Sequence, residues 1–110
     1  MVVKYEKELV EVFMKTLRKY LEKHGKKIAS MIKATGQKKI KIALRGLFWF
    51  YEAEIPEYPK LTMLVEEIMR RPELLEALEK NGFKIITYEN EYYIEAPAEK
   101  VLRLIGDEEE

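Results

Sequence analysis

Only a few side chains in this sequence are of the types that carry out catalysis. His24 is the single histidine, Ser30 is the single serine, and cysteine is absent. His24 lies next to a predicted helix end, where a cation interacts favourably with the helix dipole. Ser30 lies within a helical pattern and has no nucleophile turn around it. We therefore expect a capping or surface role for the histidine and a packing role for the serine.

Two carboxylates, Glu52 and Glu54, alternate along a predicted strand and therefore share one of its faces. Paired carboxylates perform acid–base chemistry or bind cations when further groups complete the site. The neighbouring sequence supplies no such groups, so we expect these two on a solvated sheet edge or in an ion-pair face. Neither GxGxxG nor GxxxxGK[ST] occurs in the chain. The sequence therefore predicts no enzyme, no metal site and no cofactor.

Charge is distributed unevenly along the chain. Residues 1–50 hold 13 basic and 4 acidic side chains, a net charge of +9, whereas residues 51–110 hold 7 basic and 16 acidic side chains, a net charge of −9. Residues 15–45 contain eleven basic side chains and a single acid, Glu22. A dense basic surface binds phosphates with strongly salt-dependent affinity. The predicted nucleic-acid contacts are Lys19, Lys23, Lys26, Lys27, Lys33, Lys38, Lys39, Lys41 and Arg45.

The longest apolar-rich segment is KIKIALRGLFWFYEAEI, residues 39–55, which predicts one long, bent central strand. Its inward positions are even-numbered up to Leu44 and odd-numbered from Leu47 through Trp49 to residue 55. Gly46 stands at this phase change, as expected of a β-bulge. A hairpin turning at Arg45 and Gly46 and a helix with a stripe from residue 40 to residue 51 are the alternatives.

With a bulge at this position, Phe48 and Phe50 emerge on the same face as Lys41 and Arg45. Aromatic rings flanked by bases stack on the bases of single-stranded nucleic acid. The alternative is that both rings are buried under a helix or in a dimer interface, since large contiguous apolar surfaces are seldom left open to water.

The remaining elements complete a single α+β domain of 110 residues. Apolar residues at helical spacing predict a helix over residues 2–24 ended by Gly25, and a short second helix ended by Gly36. A pair of helices divided at Pro72 follows the central strand. FKIITY and EYYIEA then form a hairpin, and a last helix ends at Gly106. The acidic tail 107–110 is expected to be disordered.

Strand, helix, helix, hairpin and helix follow one another across residues 47–105, an order that resembles a winged helix-turn-helix domain. Within it, LLEALEKNGFKIITYENEYYIEAP resembles the second helix and the wing of that family. In the family the second helix enters the DNA major groove. Here the second helix, PELLEALEK, carries three acids and one base, and phosphates repel such a surface. The resemblance therefore implies the topology of the family without its DNA contacts.

Composition indicates where the protein operates. The chain has 15 lysines and 19 glutamates but few thermolabile side chains, a bias typical of hyperthermophile proteins. The first residues include acids and lack an uninterrupted apolar stretch, so no signal peptide is predicted. No segment has the roughly 20 apolar residues needed to span a bilayer. We expect a cytoplasmic protein of a hot archaeon or bacterium.

Two functions fit these patterns. The first is a small nucleic-acid-binding protein that uses the basic surface of residues 15–45. The second is a protein-interaction or homodimerisation module, in which the basic half of one chain meets the acidic half of another or the aromatic strand pairs across a two-fold axis. Alternatively, the two halves neutralise each other within one chain, as in hyperthermophile ion-pair networks.

Overall fold

Eight helices and strands build the chain in the computed structural model, which describes residues 4–106 and their side chains from residue 8 onward. They are α1 (Lys4–Thr35), β1 (Lys39–Ala43), a 3-10 helix (Leu44–Phe50), α2 (Leu61–Arg70), α3 (Pro72–Lys80), β2 (Lys84–Tyr88), β3 (Glu91–Pro97) and α4 (Ala98–Ile105). The α+β class, the helix pair, the hairpin and the final helix are confirmed. The predicted acidic tail lies outside the described residues.

The first helix, α1, is continuous for 32 residues, so the prediction of two N-terminal helices is wrong. Gly25, the predicted helix end, lies buried inside it. A Cβ atom at Gly25 would lie 2.8 Å from Cγ2 of Ile105 in α4. Glycine costs a helix interior about 1 kcal/mol relative to alanine, and here its missing side chain lets the two helices approach closely. Gly25 therefore allows α1 and α4 to pack closely, and it does not end the helix.

The three strands form one antiparallel sheet in the order β1-β3-β2. Ile42 lies opposite Ile94, which lies opposite Ile85, and all three side chains are buried on the inner face. The β2–β3 hairpin turns at Glu89 and Asn90, whose φ angles of 51° and 66° are both positive. Such a turn matches the right-handed twist of paired strands, and it stands where the sequence predicts it.

The central segment departs most from the prediction. Its strand ends at Ala43, and a seven-residue 3-10 helix follows, longer than the three or four residues usual for this structure. Leu44 and Leu47, three positions apart, are both buried, which is the side-chain period of a 3-10 helix. The long bent strand over residues 39–55, its bulge at Gly46 and the hairpin alternative are therefore wrong. A helical stripe is present only in this short 3-10 segment.

The predicted two-fold pairing of an aromatic strand loses its basis, because the aromatic residues do not lie in a strand. The strand that precedes the helix pair is β1, so the order strand, helix, helix, hairpin and helix begins at residue 39 rather than at residue 47. The 3-10 helix stands between β1 and the helix pair, an insertion that the predicted order of elements lacks. A single residue, Arg71, joins α2 to α3.

One apolar core joins all these elements. Side chains of α1, α2, α3, the 3-10 helix and the inner face of the sheet contribute to it. The largest fully buried side chains are Phe13, Phe83, Leu9, Leu17, Leu21, Leu47, Leu64, Ile68, Leu78 and Ile94. Between residues 4 and 106, no helix combines the length and apolar character that crossing a bilayer requires.

Candidate functional site

Three consecutive rings of the 3-10 helix form the most exposed aromatic surface among the described residues. Trp49 is 89% exposed and Phe48 47% exposed, while Phe50 is partly buried. We call Phe48, Trp49 and Phe50 the aromatic ridge. Its exposure is unusual because large apolar side chains normally leave water when a core is available. The ridge is therefore the first place to look for a ligand.

Contacts on the buried side of the 3-10 helix hold the aromatic ridge in place. Leu44 and Leu47 anchor the 3-10 helix in the core, and Gly46 lies against α1, where a Cβ atom would be 3.3 Å from Cε1 of Tyr20. After the ridge, the hydroxyl of Tyr51 donates a hydrogen bond to the carbonyl oxygen of Tyr58. Trp49 is thus carried by backbone that is fixed on both sides.

Phe50 packs edge-on against two rings of α1. Its ring centroid lies 5.9 Å from that of Tyr20 and 6.0 Å from that of His24, with interplanar angles of 87° and 86°. Burial raises the pKa of Tyr20 above its ordinary value. His24 lies in the interior of α1 as a member of this ring cluster, so its predicted place at a helix end is wrong.

Phe48 points to the opposite side of the ridge. It lines two shallow depressions of about 280 and 270 Å³, the second of which is also lined by Arg45. Arg45 and Phe48 share a face because they are three residues apart in a 3-10 helix. The predicted common face of Phe48, Phe50, Lys41 and Arg45 is therefore wrong: Phe50 faces α1, and Lys41 belongs to the sheet.

Part of the basic surface is neutralised by the acidic half of the same chain. Nζ of Lys15 lies 2.6 Å from Oε2 of Glu54, and Nζ of Lys19 lies 2.5 Å from Oε2 of Glu52. The hydrogen bond from Lys19 lowers the pKa of Glu52, and the one to Glu54 raises the pKa of Lys15. The two glutamates form the ion-pair face that the sequence offered as one of two roles.

Arg45 is also paired, since its Nη1 lies 3.3 Å from Oε2 of Glu91. Of the predicted nucleic-acid contacts, Lys19 and Arg45 are therefore already engaged by carboxylates. Both pairs are exposed to solvent, where such contacts are weak and screened by salt.

Six of the predicted lysines are exposed and form no ion pair with any residue between 8 and 106. They are Lys23, Lys26, Lys27, Lys38, Lys39 and Lys41. The structure divides them between the solvent face of α1, the turn after it and the outer face of the sheet. They do not form one continuous set, as the sequence prediction assumed.

The sheet face is mixed in charge. Glu95 of β3 lies opposite Lys41 on one side and opposite Lys84 on the other. On α1 the pattern is different: Lys26 and Lys33 follow Lys19 at intervals of seven, which places them along one side of a helix, and Lys33 is also exposed. We call Lys23, Lys26, Lys27 and Lys33 the basic helix face.

The basic helix face adjoins the aromatic ridge. Lys23 and Lys27 follow Tyr20 and His24 by three residues each, and residues three apart are neighbours on a helix surface. Since Phe50 packs on Tyr20 and His24, these two lysines lie one helical turn beyond the rings that Phe50 contacts.

The strand prediction misses the exposure of Trp49, because alternation along a strand places this residue on the inward face. The alternative helical stripe, which puts Leu44 and Leu47 inward, would have placed Trp49 in solvent. No cluster of three or more histidine, cysteine or acidic side chains able to hold a metal occurs in the part of the chain that the structure describes.

Comparisons with models of protein families, with curated proteins and with solved structures find no match for this chain. The case for a function therefore depends on its own residues.

Proposed function

We propose that this protein binds nucleic acid, and that the basic helix face contacts the phosphates. The observation that supports this most is the contrast along α1. Near the middle of the helix, Lys15 and Lys19 are paired with glutamates of the acidic half, whereas Lys23, Lys26 and Lys27 are exposed without a carboxylate partner among the described side chains. Exposed lysines contribute little to stability, and several of them along one helix face bind phosphates.

The helix that a winged helix-turn-helix domain inserts into DNA is unsuited to that role here. Glu73, Glu76 and Glu79 of α3 are all exposed, and Lys80 is the single base of that helix. Phosphates are repelled by such a surface. The proposed contact surface is therefore α1, so the protein would use the topology of that family in a different orientation.

A homodimer or another protein partner is the second candidate of the sequence analysis. Its electrostatic argument is weakened, because Lys19 and Arg45 meet carboxylates of their own chain. The cytoplasmic location and the hyperthermophilic origin stay predictions.

The test is a salt titration of binding to a labelled oligonucleotide. Three lysines, Lys23, Lys26 and Lys27, that each contact one phosphate of a single strand give a slope of about −2 for log K against log salt, since each contact contributes about −0.7. Between 50 and 200 mM salt the affinity should then fall by roughly 20-fold. Absence of binding at low salt would refute the proposal.

Charge-reversal variants locate the surface. Lys26→Glu with Lys27→Glu should abolish measurable binding at moderate salt, because these side chains are exposed on the basic helix face. The matched control is Lys80→Glu with Lys84→Glu, which changes the net charge equally at exposed positions of α3 and β2. Equal losses in both double variants would mean that binding follows net charge alone and would contradict the assignment to α1.

A further inference from the structure

The position of Trp49 indicates which class of nucleic acid the protein prefers, an inference that rests on the proposed function. We propose that Trp49 is a stacking platform for an unpaired nucleotide base, so that the protein prefers single-stranded to duplex nucleic acid. Three observations carry this: the exposure of the ring, the fixed backbone beneath it and the cations beside it.

The first observation is that the ring of Trp49 has a free face. Its side chain is 89% exposed, whereas its neighbours Leu47 and Phe50 turn toward the core and toward α1. A base stacks on an aromatic ring only when both have an open face. In a duplex, each base is already stacked on both sides. An open tryptophan therefore selects unpaired bases.

The second observation is that the platform is fixed before the ligand arrives. Leu44 and Leu47 are buried below the ridge, and a Cβ atom at Gly46 would lie 3.3 Å from Cε1 of Tyr20, so the segment packs closely on α1. A ligand that stacks on a fixed ring does not have to order a loop first, so less of its binding energy is lost.

The third observation concerns charge and area, which together favour a nucleotide over a second protein. Lys23 and Lys27 are exposed one helical turn after Tyr20 and His24, the two rings on which Phe50 packs, and they complement a phosphate backbone that runs past a stacked base. With about 150 to 250 Å² for a fully exposed aromatic side chain, Trp49 and Phe48 together expose roughly 200 to 340 Å². A standard protein interface buries about 800 Å² on each partner. The patch is too small for that and is of a suitable size for one or two bases.

Trp49 is the single tryptophan of the chain, so its fluorescence reports on the proposed contact directly. The experiment titrates the full chain with an oligothymidylate of about 12 nucleotides and with a duplex of equal length, and follows both tryptophan fluorescence and the anisotropy of a label on the probe. The expected result is quenching by the single strand, with weaker binding and little quenching by the duplex.

Trp49→Ala should weaken binding of the single strand by about tenfold, within the range measured for base–aromatic stacking, and should leave duplex binding unchanged. Trp49→Phe keeps a ring and should restore most of the affinity. Because Trp49 is exposed, neither variant should alter the circular dichroism spectrum of the fold.

The outcomes separate this inference from the proposed function. If Lys26→Glu with Lys27→Glu abolishes binding while Trp49→Ala binds both probes normally, nucleic-acid binding stands and the stacking role is overturned. If neither probe binds at low salt, both are overturned. Fluorescence that changes with protein concentration and not with the oligonucleotide would show that a second copy covers the ridge, which also overturns the stacking role.

Discussion

Replacement of Gly25 by alanine tests the explanation of the long first helix. In most helix interiors this change stabilises a protein, because alanine is favoured over glycine by about 1 kcal/mol. Here the new methyl group would lie 2.8 Å from Cγ2 and 3.3 Å from Cγ1 of Ile105. The first distance is shorter than a carbon–carbon contact allows, so the side chain of Ile105 or α4 itself must shift.

The expected magnitude follows from these two opposing effects. Overpacking of a closely packed contact costs about 1 to 3 kcal/mol, which offsets or exceeds the gain in helix propensity. We expect Gly25→Ala to lower the free energy of unfolding by about 1 kcal/mol. In an Ile105→Ala background the clash is removed, and the same substitution should then raise the free energy of unfolding by up to about 1 kcal/mol.

The assay is urea unfolding of the four proteins of this double-mutant cycle, followed by circular dichroism. Ser30 is exposed in the same helix, so its predicted packing role is wrong. It provides the control: Ser30→Ala should be more stable than Ser30→Gly by about 1 kcal/mol. If Gly25→Ala stabilises the wild-type background as much as this control indicates, the contact with Ile105 does not explain the glycine and the reasoning is refuted.

Two further predictions concern the turn of the hairpin and the ion pairs of the acidic segment. Glu89 has a positive φ, a conformation that asparagine adopts more readily than glutamate. Glu89→Asn should therefore raise the melting temperature by the equivalent of about 0.5 kcal/mol. Thr87→Asn, on the adjoining strand, is the control and should not stabilise the protein. The pKa of Glu52 is lowered by its hydrogen bond from Lys19, so the stability that this pair contributes is present above the ordinary carboxylate pKa of 4.5 and is lost as the pH falls through the lower folded value. Glu52→Gln should therefore flatten the fall in melting temperature on acidification, and a pH profile identical to that of the wild type would contradict the assignment.

Sequence patterns predicted the elements whose signals are local. Three elements contain residues that determine the local conformation without help from the rest of the chain. They are the helix pair divided at Pro72, the hairpin with its turn at Glu89 and Asn90, and the last helix, which ends at Gly106. Their positions in the structure follow the predictions to within a few residues.

The two main errors share one physical cause. The sequence predicts a helix end at Gly25 and a bulge at Gly46, both of which are local roles of glycine. In the structure each glycine makes room for a side chain from another element, Ile105 in one case and Tyr20 in the other. A single sequence does not reveal that requirement, because the partner is remote along the chain.

The candidate site was predicted only in part for a related reason. Counting charges located a basic stretch but not which of its members meet carboxylates: Lys19 and Arg45 do, and Lys26 does not do so within the described chain. The strand prediction is wrong about Trp49, because alternation in a strand places this side chain toward the core whereas the period of the 3-10 helix places it in solvent.

The packing of α4 against α1 also has a consequence for how the protein is made. The first helix emerges from the ribosome long before residues 98–105, which supply part of its cover. Until those residues are synthesised, the part of α1 around Gly25 that packs on Ile105 lacks this cover, and exposed apolar surface of that kind promotes association with other chains. Contacts between such distant segments also slow folding, because the entropy of closing the intervening loop is lost before the contact is gained.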